Sequence, residues 1–168
     1  MPTFHGYASA WLQAKIDGTI GDRPIDANTE ADYRWRLRKH LLPAFAKYRI
    51  DEIDAAACRA FKATKLKEAA ELRAAIDAGA RIRDRGGRQA RPLAPNSIRK
   101  LIACLAAILD EAIEDGFIDR NPARGRRMRV KVPKPPRTFL EMYELVALTD
   151  AADAQDVQPV RVAKAHLD

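Results

Sequence analysis

Two cysteines, Cys58 and Cys104, and three scattered histidines are the metal-binding and nucleophilic groups that this sequence offers. Neither type recurs at the spacing a zinc site needs, so no metal is expected. Two lone cysteines make no disulfide framework, and both fall in stretches that read as buried helix in a reducing cytosol. There is no glycine-rich phosphate loop, no nucleophile elbow and no pair of histidines one helical turn apart. Carboxylates are plentiful but sit at helix starts or on polar faces. His40 lies near Arg36 and Tyr33, the one grouping that resembles an acid/base cluster; ordinary packing on a helix face explains it more simply. No catalytic residue and no cofactor are expected from these groups.

The chemistry the residue types do favour is the binding of polyanions. The 168 residues carry 30 Lys and Arg against 23 Asp and Glu. The excess is uneven. Residues 1–78 hold 13 cations and 11 acids, residues 79–139 hold 15 and 6, and residues 140–168 hold 2 and 6. A basic middle between near-neutral and acidic ends suggests a surface for a polyanion. Three groups stand out. Arg34, Arg36, Arg38 and Lys39 crowd one short helical segment with no acid between them. Asn96, Ser97, Arg99 and Lys100 stand at a helix start, where backbone N–H groups favour phosphate. Arg124, Arg126, Arg127, Arg129 and Lys131 belong to the acid-free stretch 120–137.

The elements that must position these groups are helical. Phe4, Tyr7, Ala8, Trp11 and Leu12 make one helix face over 3–17, with Thr3 as N-cap and Gly18 as stop. A second helix is expected over 29–41, capped by Asn28 or Thr29, striped by Tyr33, Leu37 and Leu41, and ended by Pro43. Asp54 caps a third, alanine-rich helix to Ala78, with Ile53 and Cys58 as a hydrophobic staple and Gly79 beyond its end. Its stripe is thin: Phe61, Ala69, Leu72 and Ile76. Residues 79–92 read as a polar, mobile loop containing Arg81, Arg83, Arg85, Arg88 and Arg91. The strongest helix runs over 95–115, with Pro95 at its first position and an apolar face held for four turns; Gly116 ends it and Phe117-Ile118 folds back. Four prolines make 120–137 an extended linker that spans about 60 Å at full stretch. A last helix is expected over 139–152, and the tail from 154 shows no period. No apolar run is long enough for a membrane span, and the N-terminus lacks the pattern of a signal peptide, so a cytoplasmic protein is expected.

The order of these signals is also familiar. Tyr7-Ala8-Ser9-Ala10-Trp11-Leu12 is followed by Thr29-Glu30-Ala31-Asp32-Tyr33, His40-Leu41-Leu42-Pro43-Ala44-Phe45 and Ile50-Asp51-Glu52-Ile53. Leu93-Ala94-Pro95-Asn96-Ser97-Ile98, Gly116-Phe117-Ile118-Asp119-Arg120-Asn121-Pro122 and Arg137-Thr138-Phe139-Leu140 complete the set. Over about residues 3–150 this resembles the N-terminal core-binding domain of a tyrosine recombinase of the phage-integrase type. The sequence departs from that pattern in a longer, basic segment between the third and fourth helices, and in Glu141, where the family often has a capping Thr or Ser.

The resemblance implies an all-α, four-helix core-binding (SAM-like) bundle over 1–123, a basic interdomain linker over 124–137, and the start of a catalytic domain over 138–168. It implies sequence-specific binding to duplex DNA at a recombination core site. In that role the cations of the second helix and Asn96, Ser97, Arg99 and Lys100 meet phosphates or base edges, and the linker cations track phosphates. The family's catalytic arginine, His-x-x-Arg and nucleophilic tyrosine have no matching positions, so the chain alone is expected to be inactive; Tyr7, Tyr33, Tyr48 and Tyr143 all precede the nucleophile's region. The full protein is expected to act as a tetramer on DNA, with this chain monomeric by itself. The competing reading is a helical protein-interaction module with no nucleic-acid role.

Overall fold

Three of the helices begin where a short side chain, Thr3, Asp26 or Asp54, accepts from exposed backbone N–H groups. In the computed structural model, which describes residues 1–21, 23–84, 86–133 and 141–152, the protein is all-α, with no strand among those residues. Residues 1–133 form one unit and the residues from 134 onward a second. The linker residues 134–137, Phe139-Leu140 and the tail from 154 lie outside the described residues.

Helix α1 (Phe4–Asp17) starts at Thr3, whose Oγ1 accepts from the Gly6 N–H at 3.3 Å. Its expected face is the buried one: Phe4, Tyr7, Ala8, Trp11 and Leu12. Gly18 closes it at φ +74°, and a Cβ there would lie 2.7 Å from the Pro24 ring, so glycine is required twice over.

Helix α2 (Ala27–Arg36) starts two to three residues earlier than the sequence suggested. Its cap is Asp26, whose carboxylate accepts from the N–H groups of Asn28 and Thr29 and from the Thr29 hydroxyl. Nor does the helix stop before Pro43. It widens into a π turn over Leu37–Leu41, then resumes as α3 (Leu42–Phe45) with Pro43 in its first turn. A proline ring collides with the carbonyl four residues back and lacks an N–H; one wide turn relieves both and lets the rod continue. Leu37, Leu41 and Phe45 therefore bury on one line.

Helix α4 (Ala55–Asp77) is capped by Asp54, and Ile53 and Cys58 are both buried as expected of a staple. Its thin stripe has a structural counterpart: within α4 only Cys58 and Phe61 are buried, and Leu66 is exposed. Helix α5 (Pro95–Glu114) is the central element. It buries Ile98, Leu101, Ile102, Cys104, Leu105, Ala106, Ile108, Leu109 and Ala112 against α1, α2 and α4. After Gly116 (φ +72°), Phe117 N–H bonds back to the Ala112 carbonyl at 2.9 Å, and the Phe117 ring meets Tyr7 edge-on at 5.5 Å.

The extended reading of 120–137 does not hold for its first half. Pro122–Arg124 and Arg126–Met128 are short 3-10 turns packed on α4 and α5, with Ala123 and Met128 buried. Three prolines at 133–136 mark the extended character of the later part only in the sequence. The loop 79–92 also departs from expectation: its two arms pair through a bridge between Arg83 and Gln89. In the second unit, residues 142–152 form helix α6, and Glu144 accepts from the Glu141 N–H at 2.9 Å in the manner of half a capping box.

Because α5 runs through the centre, truncating it should be costly. Leu105→Ala is expected to lower the unfolding free energy by about 2–5 kcal/mol, against under about 0.5 kcal/mol for the exposed Leu66→Ala, as read by urea denaturation.

Candidate nucleic-acid interface

The groups that might have formed a reactive centre are each occupied otherwise. Burial pushes the Cys58 thiol up to about 11 and the Cys104 thiol up to about 12, so neither is a thiolate near neutral pH. The Tyr7 hydroxyl donates to Asp115, and burial together with that carboxylate raises its pKa well above the ordinary tyrosine value. Arg36 lies over the Tyr33 ring, and His40 has other neighbours. Its ring stands 4.7 Å from that of Trp35, with Lys65 and Glu68 of α4 nearby, and desolvation lowers its pKa. Among the described residues no group of His, Cys, Asp or Glu could hold a metal ion, and no helix is long and apolar enough to cross a membrane.

The cations divide into two sets. The first is engaged within the fold. Arg34 pairs with Glu30 and Arg36 with Asp32, each one helical turn back. Arg36 is 13% exposed, lies over the Tyr33 ring at 5.4 Å and reaches Cys104 of α5. Arg124 makes a forked contact to Asp110, with its Nε 2.8 Å from both carboxylate oxygens. The crowding of Arg34 and Arg36 noted in the sequence is thus partly offset by acids that precede them by four residues.

The second set is exposed and has no carboxylate partner among the described residues: Arg38 and Lys39 on the π turn, Arg99 and Lys100 in the first turns of α5, and Arg126, Arg127, Arg129 and Lys131. The π turn and α5 pack directly on one another, which brings the first two pairs onto adjoining elements. Asn96 and Ser97 are half-buried at the α5 start, and the Asn96 Oδ1 is enclosed without a partner. That placement leaves Arg99 and Lys100 as the outward-facing members of their group.

What positions the last four cations was not visible in the sequence. Asn121 Nδ2 donates to the Ala106 carbonyl at 2.7 Å and to Asp110 at 2.6 Å, while its Oδ1 accepts from the Ala123 N–H at 2.8 Å. Asp110 thereby holds both Asn121 and Arg124. From the other side, the Lys62 ammonium of α4 donates to the Arg127 carbonyl and, at 3.2 Å, to the Arg129 carbonyl. These bonds tie down the backbone of 121–129, while Arg126, Arg127 and Arg129 stay exposed with no carboxylate partner among the described residues. Lys62 and Asp110 gave no signal because their partners are carbonyls or residues distant in sequence.

No family model matches the chain, and no curated protein matches it. One similar solved structure is the solution NMR structure of a fragment, residues 61–160, from Clostridium leptum. It shares 20% identity with this chain, covers 85% of it and 99% of the fragment, and superposes with a TM-score of 0.50. At that identity the likeness concerns the fold alone.

The clamp on the basic stretch has a pH signature. Hydrogen bonding from Arg124, then Asn121, holds the Asp110 carboxyl below the usual aspartate value. A carboxyl with a depressed folded pKa contributes its stability above about pH 4, and that contribution is lost as pH falls through the depressed value. Asp110→Asn should therefore weaken folding at neutral pH and flatten the acid limb of the stability profile; urea midpoints measured down that limb check it.

Proposed function

We propose that this chain is the DNA-binding N-terminal portion of a site-specific tyrosine recombinase of the phage-integrase type, with residues 1–123 forming its four-helix, SAM-like core-binding domain. The observation that carries the reading is the tethered row Arg126, Arg127, Arg129 and Lys131: exposed, without acids, and held on the helical unit by Asn121, Arg124 and Lys62. Fixing the backbone before binding removes an ordering cost that a free tether would bear on contact with DNA. Arg38, Lys39, Arg99 and Lys100 add a second cationic group from the packed π turn and α5. Arginines on phosphates supply affinity and register, and Arg99, exposed near the start of α5, is the candidate for reading base edges. On this reading strand cleavage and rejoining belong to the family's catalytic domain, whose motifs have no matching positions among these residues, and tetramer assembly belongs to the full protein on its DNA.

Exposed Met142, Tyr143, Leu145, Val146 and Leu148 on α6 favour a second reading, a module that docks another protein. The two readings differ in what salt and charge removal do. With about six phosphates neutralised, log K for duplex DNA should fall with log salt at a slope near −5. The variant Arg126→Ser/Arg127→Ser/Arg129→Ser should reduce the steepness of that slope by about 2 to 3. Fluorescence anisotropy with a labelled duplex between about 50 and 200 mM salt measures both. Absence of duplex binding at low salt would overturn the recombinase reading and leave the docking module.

A further inference from the structure

The basic segment between α4 and α5 is a built element rather than a slack connection. The Asp84 N–H bonds to the Arg88 carbonyl at 2.8 Å and the Ala90 N–H to the Ile82 carbonyl at 2.8 Å, on either side of the Arg83–Gln89 bridge. Gly87, at φ +75°, makes the turn. The Asp84 carboxylate accepts from the Gly86 and Arg88 N–H groups, at 2.8 and 3.0 Å, and so closes the loop end. The Arg83 guanidinium donates to the Gly87 carbonyl at 2.8 Å.

Strand alternation decides where the side chains go. Arg83 and Gln89 are opposite one another on one face of this short ribbon, two arms paired through a single bridge. Continuing the alternation one pair beyond the bonded residues puts Arg81 and Arg91 on the same side. The other face carries Ile82 and the half-buried Ala90. Arg81, Arg83, Arg88 and Arg91 are all exposed, and none has a carboxylate partner among the described residues. Asp84, the acid within the ribbon, is committed to backbone donors. Like charges at neighbouring positions of one ribbon face destabilise it. A fold that orders three arginines on one face, with no acid to offset them, is suited to a partner that brings the negative charge.

We propose that the arms 81–84 and 88–91 form a second duplex-contacting element, in which Arg81, Arg83 and Arg91 lie along DNA phosphates beside the contact made by Arg99 and Lys100. The ribbon leads into α5 with only three residues between Arg91 and Pro95, so its contact and that of the α5 start fall on one continuous stretch of chain. A two-stranded ribbon also has the width that the major groove of B-DNA admits. The inference rests on the DNA-binding reading above but makes a separate demand on the data.

The test is a salt titration of the full chain against a labelled duplex of about three helical turns. Arg83 is left in place because it holds the turn. Arg81→Ser/Arg91→Ser should make the log K against log salt slope shallower by about 2, and Arg81→Lys/Arg91→Lys should restore it. Arg81→Gln/Arg91→Gln serves as a second neutral pair, so that a folding defect peculiar to serine does not decide the outcome. Lys47→Ser/Arg59→Ser removes two exposed cations away from the ribbon and should leave the slope unchanged. A wild-type slope in both neutral ribbon variants would overturn the inference and leave the recombinase reading intact. An equal loss in the Lys47/Arg59 variant would also overturn it, since general charge would then suffice. No duplex binding by the unaltered chain would overturn both together.

Discussion

Asp110 is the residue on which the arrangement of charge depends. It lies on α5, the helix that organises the core, and it holds Asn121 and Arg124 at once. Without it, the stretch that follows would be a proline-rich polycation with every reason to stay solvated. With it, and with Lys62 reaching the Arg127 and Arg129 carbonyls from α4, the chain turns twice and buries Ala123 and Met128. A few hydrogen bonds to the backbone thus convert a dense cationic sequence into a fixed cationic surface. Each such bond contributes on the order of 1 kcal/mol net, more where a charged group takes part.

The same logic separates cations engaged within the fold from cations left facing water. Arg34, Arg36 and Arg124 meet carboxylates, and Arg36 is largely covered. Their charges are offset inside the protein. Arg38, Lys39, Arg99, Lys100, Arg126, Arg127, Arg129 and Lys131 face water without such partners. Exposed ion pairs are worth little to stability, and unpaired exposed cations less still, so these eight positions contribute little to holding the fold together. The ribbon arginines extend the same pattern toward the α4 end.

Much of the architecture was legible because apolar spacing and caps act locally. The α1 face, the Asp54 cap, the α5 stripe and the fold-back at Phe117 all follow from residues within a turn or two of each other. Where the reading failed, the deciding contact was distant or the rule had an exception. Pro43 reads as a helix end, but a single π turn accommodates it. Asp26, rather than Asn28 or Thr29, caps α2, because its carboxylate reaches two backbone N–H groups and the Thr29 hydroxyl at once. The stretch 120–130 reads as linker by composition, yet its anchors are a carbonyl at Ala106, a carboxylate at Asp110 and an ammonium at Lys62. Of the candidate site, the cation clusters were visible in sequence, but not which members the fold would engage. That sorting depends on Glu30, Asp32 and Asp110 as much as on the arginines.

The central proposal is that these exposed cations meet a double helix. Backbone amide NMR of the full chain, titrated with duplex DNA, addresses it residue by residue. The account predicts shifts concentrated at Arg38, Lys39, Arg99, Lys100 and 126–131, joined by 81–91 where the second element also docks, with α1 unmoved. Shifts confined to α6, or spread evenly over all exposed lysines and arginines, would contradict it.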